Sequence, residues 1–85
     1  MELRVLRYFL MVAREENITK AAQLLHVTQP TLSRQMQQLE QGLGVTLFGR
    51  GKYNMSLTED GMLLKRRAQE LVALSDRTMQ DLTNR

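Results

Sequence analysis

Apolar residues recur along this chain at two different periods, and each change of period marks an element boundary. From Glu2 to about Glu15, Leu3, Leu6, Leu10 and Ala13 keep helical spacing, and Phe9 and Val12 widen the stripe. That pattern predicts an amphipathic helix. Asn17, a residue that tolerates a left-handed backbone, is expected to end it. Thr19 then serves as N-cap of a second helix running through Ala21, Ala22, Leu24 and Leu25 to about His26. The alanine pair lets another helix cross closely, as a tight helix-turn-helix requires. Thr28 caps a third helix with Pro30 in its first turn, where the missing N–H has no intrahelical partner to lose. Leu32, Met36, Leu39 and Leu43 form its inward stripe. Gly42 and Gly44 are expected to end it.

The helical period then stops. Four of the chain's five glycines fall between residues 42 and 51, so the main break lies there. Val45–Phe48 and Asn54–Leu57 are short apolar or β-prone runs flanking Gly49, Arg50, Gly51, Lys52 and Tyr53. The arrangement predicts a hairpin, or wing, with cations at its turn. Thr58 starts the last helix, with Glu59 and Asp60 at the positive end of its dipole. Leu57 and Met62 are spaced as a hydrophobic staple. This helix continues to about Leu82, on the order of 35 Å. Leu64, Ala68, Leu71, Ser75, Thr78 and Leu82 follow one another at alternating spacings of four and three, the seam of a helix packed on another helix. Val72, Leu74 and Met79 broaden it.

Composition narrows the choice of partners. With 85 residues the chain forms one small domain that gains from a partner chain. Its net charge of +3 (12 basic, 9 acidic) suits a polyanion. Arg50 and Lys52 are the charged residues from Gln41 to Tyr53. Cysteine is absent, so thiolate metal sites are excluded and the chain suits a reducing cytosol. One histidine, His26, makes no metal site without further ligands; a turn or helix-end role is expected. No apolar run approaches the ~18–20 residues of a membrane span. Glu15–Glu16 and Glu59–Asp60 are sequence neighbours rather than converging acid–base pairs, and no phosphate loop or nucleophile elbow occurs, so no enzyme is expected.

The outward face of the third helix carries the chemistry. Pro30, Ser33, Arg34, Gln37 and Gln41 lie opposite the Leu32–Met36–Leu39 stripe, polar and uncharged except for Arg34. Direct readout of a duplex needs such a face. Glutamine pairs bidentately with adenine and arginine with guanine, and a threonine methyl meets thymine. Ser33 is small enough to admit the helix to the groove and to donate to phosphate. Thr28 and the free N–H groups of the helix start suit a phosphate. Tyr8, Phe9 and Phe48 are expected in the core, and Lys65, Arg66 and Arg67 on a solvated face.

The run Ala21-Ala22-x-x-Leu25-His26-Val27-Thr28-Gln29-Pro30-x-Leu32-Ser33-Arg34-Gln35-Met36 is followed by Leu39-Glu40. Then come Leu43-Gly44-Val45-x-Leu47-Phe48-x-Arg50 and Leu57-Thr58-x-x-Gly61. Together they resemble the N-terminal domain of LysR-type transcriptional regulators over nearly the whole chain. The resemblance implies a mainly α fold: a winged helix-turn-helix at 1–58, with a three-helix core and short hairpin wing, then a linker and dimerisation helix at 59–85. It implies a cytoplasmic, nucleoid-associated homodimer on double-stranded DNA, with a recognition helix at about 29–41 and no cofactor, metal or membrane. The effector-binding domain of such regulators lies outside this sequence. At matching positions the resemblance gives base or phosphate contacts to Gln29, Pro30, Thr31, Ser33 and Arg34, and a DNA-backbone role to Arg50. The wing departs from the family pattern: Gly51, Lys52, Tyr53, Asn54 and Met55 stand where several arginines are common. Thr31 replaces a usual alanine or other small residue.

Thr28, Gln29, Pro30, Thr31, Ser33, Arg34, Gln37, Arg50 and Lys52 are therefore the expected DNA-binding set. The apolar seam supports dimerisation. A competing reading makes the chain a winged-helix interaction module that uses this seam without sequence-specific DNA binding.

Overall fold

The computed structural model describes residues 1–50 and 55–84, Arg50 through its backbone. Six elements follow in order: α1 (Leu3–Glu15), α2 (Ile18–Leu25), α3 (Gln29–Leu43), β1 (Phe48–Arg50), β2 (Met55–Leu57) and α4 (Glu59–Thr83). The first three helices close around Leu6, Phe9, Val12, Ala21, Ala22, Leu32, Met36 and Leu39, all buried. Leu47 and Phe48 seal one side of this core, and the Phe48 ring meets Phe9 at 5.5 Å and 49°. Both alanines of α2 are buried, and α2 packs against α1 and α3, as the close-crossing argument requires.

The α1–α2 junction differs from the sequence expectation. Glu16, not Asn17, takes the left-handed conformation, at φ 53°, and caps α1 through its N–H to the Val12 carbonyl. Asn17 is extended and serves as N-cap of α2, where Oδ1 accepts the Lys20 N–H at 2.9 Å. Thr19 therefore lies inside the helix that it was expected to start. An asparagine between two helices suits either role. Here the short link leaves its side chain one turn ahead of α2, and a capping bond lowers the energy of that placement. Glu15 joins the same junction, bonded by Arg14 at 2.8 Å and approached by Lys20 at 3.5 Å. The bond from Arg14 holds the Glu15 carboxyl below its ordinary value.

A side chain with a Cβ is strained at Glu16, whereas glycine is at ease there. Glu16→Gly should raise unfolding stability by about 0.5–1 kcal/mol, because relief of strain exceeds the added entropy of the unfolded chain. Urea titration checks this, and a loss of stability would contradict it. His26 repeats the geometry at the end of α2, with φ 59° and its N–H directed to the Ala22 and Gln23 carbonyls. The expected turn role is thus a left-handed helix cap.

Gly42 lies within α3, and Gly44 alone ends the helix, at φ 70°. The hairpin is antiparallel, with Phe48 opposite Leu57, Gly49 opposite Ser56 and Arg50 opposite Met55. The first strand starts at Phe48 rather than Val45, and the segment before it is tied to α3 instead. Val45 donates to the Glu40 carbonyl at 3.2 Å, and Leu47 to the Glu40 carboxylate at 2.7 Å. Asn54, expected to open the second strand, and Lys52 at the turn lie outside the described residues.

Thr58 caps α4 as expected, accepting the Gly61 N–H at 3.0 Å while donating to the Thr46 carbonyl at 2.6 Å. Leu57 and Met62, spaced as a staple, line one shallow groove together. The helix packs along α1 and is pinned further out by Arg7 to Asp76 at 2.8 Å. The molecule is elongated, 49 × 26 × 19 Å.

Candidate nucleic-acid interface

Among the described residues, helix α3 is buried along one side. Leu32, Met36 and Leu39 anchor it to the core, so rotation about its axis is fixed. The opposite face is left to solvent: Gln29, Pro30, Arg34, Gln37, Gln38 and Gln41 are exposed, and Thr31 and Ser33 are half-buried. Gln35 is half-buried and lines the groove that α3 forms with Met1, Glu2 and Val5.

The start of α3 is prepared by local hydrogen bonds. Thr28 Oγ1 accepts the Thr31 N–H at 3.3 Å and donates to Thr31 Oγ1 at 2.7 Å. Leu32 donates to the Thr28 carbonyl at 3.0 Å, and Pro30 has no N–H to offer. Gln29 therefore supplies the remaining N–H of this turn among the described residues. The expected cluster of helix-start donors is reduced to that group and the Thr31 hydroxyl, since the Thr28 proton is directed to Thr31 Oγ1.

Charge on the face is simple. There is no acidic residue in the first turn of α3, and Arg34 has no salt-bridge partner among the described residues. The next acid along the helix, Glu40, has its carboxylate turned to the Leu47 and Phe48 N–H groups. An unpaired cation among short polar side chains can meet an anionic duplex without first breaking an ion pair. Arg50 stands at the end of β1, opposite Met55.

The α4 seam divides. Ala68 is fully buried in the chain's own core, and Leu64 and Val72 pack against that core, so they are already committed within one chain. Ser75 is half-buried. Leu71 (41% exposed), Leu74 (54%) and Leu82 (58%) face solvent, with Thr78 beside them donating to the Leu74 carbonyl. Glu40 and Gly61 entered the sequence reading only as positions of the family pattern, without a role, because their contacts with Leu47 follow no period.

No described helix is long and apolar enough to cross a membrane. No group of three metal-ligating side chains gathers among the described residues.

Residues 3–62 match the model of the bacterial regulatory helix-turn-helix protein, lysR family. The chain is 51% identical over 73 residues to the HTH-type transcriptional regulator BsdA of Bacillus subtilis, covering 85% of this chain and 25% of BsdA. It is 44% identical over 85 residues to the HTH-type transcriptional regulator BenM of Acinetobacter baylyi, covering all of this chain and 28% of BenM. Among solved structures, the BenM DBD in complex with catB site 1 DNA superposes with a TM-score of 0.95 at 40% identity, covering 99% of this chain and 93% of that one. The CbnR DBD–DNA complex gives 0.95 at 39%, covering 99% and 97%. The chain spans about a quarter of the length of BsdA and BenM.

Proposed function

Because this chain belongs to the LysR family of bacterial regulatory helix-turn-helix proteins, we propose that it reads operator DNA as a dimer through α3 and its wing. The proposal divides the chain into a reading unit at 1–58 and a linker and dimerisation helix at 59–85. In it, Gln29, Pro30, Thr31, Ser33, Arg34 and Gln37 meet base edges and phosphates in the major groove, and Thr28 meets phosphate at the helix start. Arg50 and Lys52 meet the DNA backbone from the wing. The observation that carries this reading is the exposed outer face of α3, with Arg34 unpaired on it among the described residues. Two copies related by a two-fold axis would read half-sites about 34 Å apart, or a multiple of that. Chromosomal DNA places the protein in the bacterial cytoplasm. A small-molecule effector belongs to the portion of the relatives that this chain does not span.

Arg34→Ala is expected to weaken binding by about 1–3 kcal/mol and to relax discrimination at one base pair. The measurement is a titration against DNA selected by this chain from a random pool and against single-base variants of it. Equal affinities of wild type and variant for every sequence would remove direct readout by Arg34. Absence of retention on a DNA column at low salt would instead favour an interaction module without DNA binding, since phosphate contacts strengthen steeply as salt falls.

A further inference from the structure

We infer that Glu40 is a positioning residue for DNA binding: it contacts no DNA itself and sets where the wing stands relative to the reading face of α3. Glu40 follows Ser33 by seven residues, two helical turns, so it lies on Ser33's side of α3, at the border between buried stripe and outward face. A carboxylate at the rim of a DNA-reading surface would repel phosphate if it projected outward. This one turns to the chain instead. One oxygen, Oε2, accepts both the Leu47 N–H at 2.7 Å and the Phe48 N–H at 3.3 Å. The Val45 N–H is bonded to the carbonyl of the same residue.

These bonds fall on the last residues before β1 and on its first. Phe48 opens the strand, and Arg50 closes it two residues later. A strand rises about 3.3 Å per residue, so Arg50 starts from a point fixed within two residues of the Glu40 carboxylate. The second strand is fixed independently, by the Met55 N–H to the Glu16 carbonyl at 3.1 Å. Glu40 is thus a side chain that joins the reading helix directly to the strand ending in Arg50. The inference rests on the proposed contact between the wing and DNA.

The test is a double-mutant cycle of Glu40→Ala and Arg50→Ala, titrated with the pool-selected DNA at several salt concentrations, far below the melting temperature of each variant. Each single variant is expected to lose roughly tenfold in affinity, the order of one charge-assisted hydrogen bond. Each is also expected to flatten the salt slope by about one phosphate contact. The double variant should bind no more weakly than Arg50→Ala alone. Should Glu40→Ala fail to fold, Glu40→Asp replaces it in the cycle. It keeps the charge but is about 1.5 Å shorter, too short to hold both N–H groups in place. A double variant tenfold weaker than Arg50→Ala, or a Glu40 variant that melts earlier but binds with full affinity and slope, overturns the inference while leaving the wing contact intact. An Arg50→Ala variant with unchanged affinity and slope refutes the wing contact itself, and the role of Glu40 with it.

Discussion

Gly61→Ala should destabilise this chain by roughly 2–4 kcal/mol, a large cost for one added methyl group. Gly61 is buried in the first turn of α4, and a Cβ there would overlap the Leu47 carbonyl oxygen and lie 2.9 Å from Leu57 Cδ2. The oxygen cannot retreat cheaply, since it accepts the Thr58 N–H at 2.9 Å. Moving α4 instead would break the Thr58 cap on the Gly61 N–H, a bond of 3.0 Å. A chain of this length has about 4–13 kcal/mol of total stability, so the loss is a large share of it. Thermal unfolding followed by circular dichroism should show the midpoint falling by more than about 10 °C. Gly42→Ala is the matched control. Among the described residues, nothing outside its own turn of helix lies within 4 Å of a Cβ at that position. It should stabilise by about 0.5–1 kcal/mol through helix propensity. Equal behaviour of the two variants would show that the close approach at Gly61 carries no energy.

If the proposed dimer forms through α4, Leu71→Asp is expected to convert it to monomer and to weaken operator binding by about 10²–10⁴-fold, the loss of linked engagement of two half-sites. Leu71 is 41% exposed and belongs to the solvent-facing side of α4 rather than to the chain's own core. A carboxylate there leaves the monomer fold intact but is desolvated without a partner if a second helix packs over it. Sedimentation equilibrium reads the assembly state directly. A second reading comes from mass action: the unfolding midpoint of a dimer rises with protein concentration, and that rise should vanish in the variant. A Leu71→Asp chain that still sediments as a dimer would place the interface elsewhere.

The fold was legible wherever one residue's chemistry admitted one placement. Thr28 with Pro30 two positions on, Thr58 ahead of two acids, and Gly44 after an apolar stripe each name a helix end, and each stands there. Asn17 admits two placements, left-handed terminator or N-cap, and only the length of the α1–α2 link decides between them. The start of β1 was misplaced for another reason. Val45 to Leu47 are as β-prone as any strand, but the Val45 and Leu47 N–H groups bond to Glu40, a competition that propensity cannot register. On α4 a single seam of apolar positions suggested one partner. The helix instead has two neighbouring demands, with Ala68 inside the chain and Leu71 outside it. Periodicity locates an apolar face but does not say whose surface it meets. For α3 the inward and outward faces were readable over its first three turns, where buried Leu32, Met36 and Leu39 leave the remaining arc no alternative; Leu43, expected inward, lies in the last turn and is 42% exposed.

The stem of the hairpin is tied on three sides before any ligand arrives: to the Glu40 side chain, to the Glu16 carbonyl, and through Thr58 to Thr46 and Leu47. The separation between α3 and that stem is accordingly a dimension of the free protein, like the gap of a fixed calliper. In the proposed complex, where a site's groove spacing disagrees with it, the misfit would fall on the duplex, which bends at a cost set by its own base steps. Base pairs that no side chain reaches would then influence affinity through their stiffness alone.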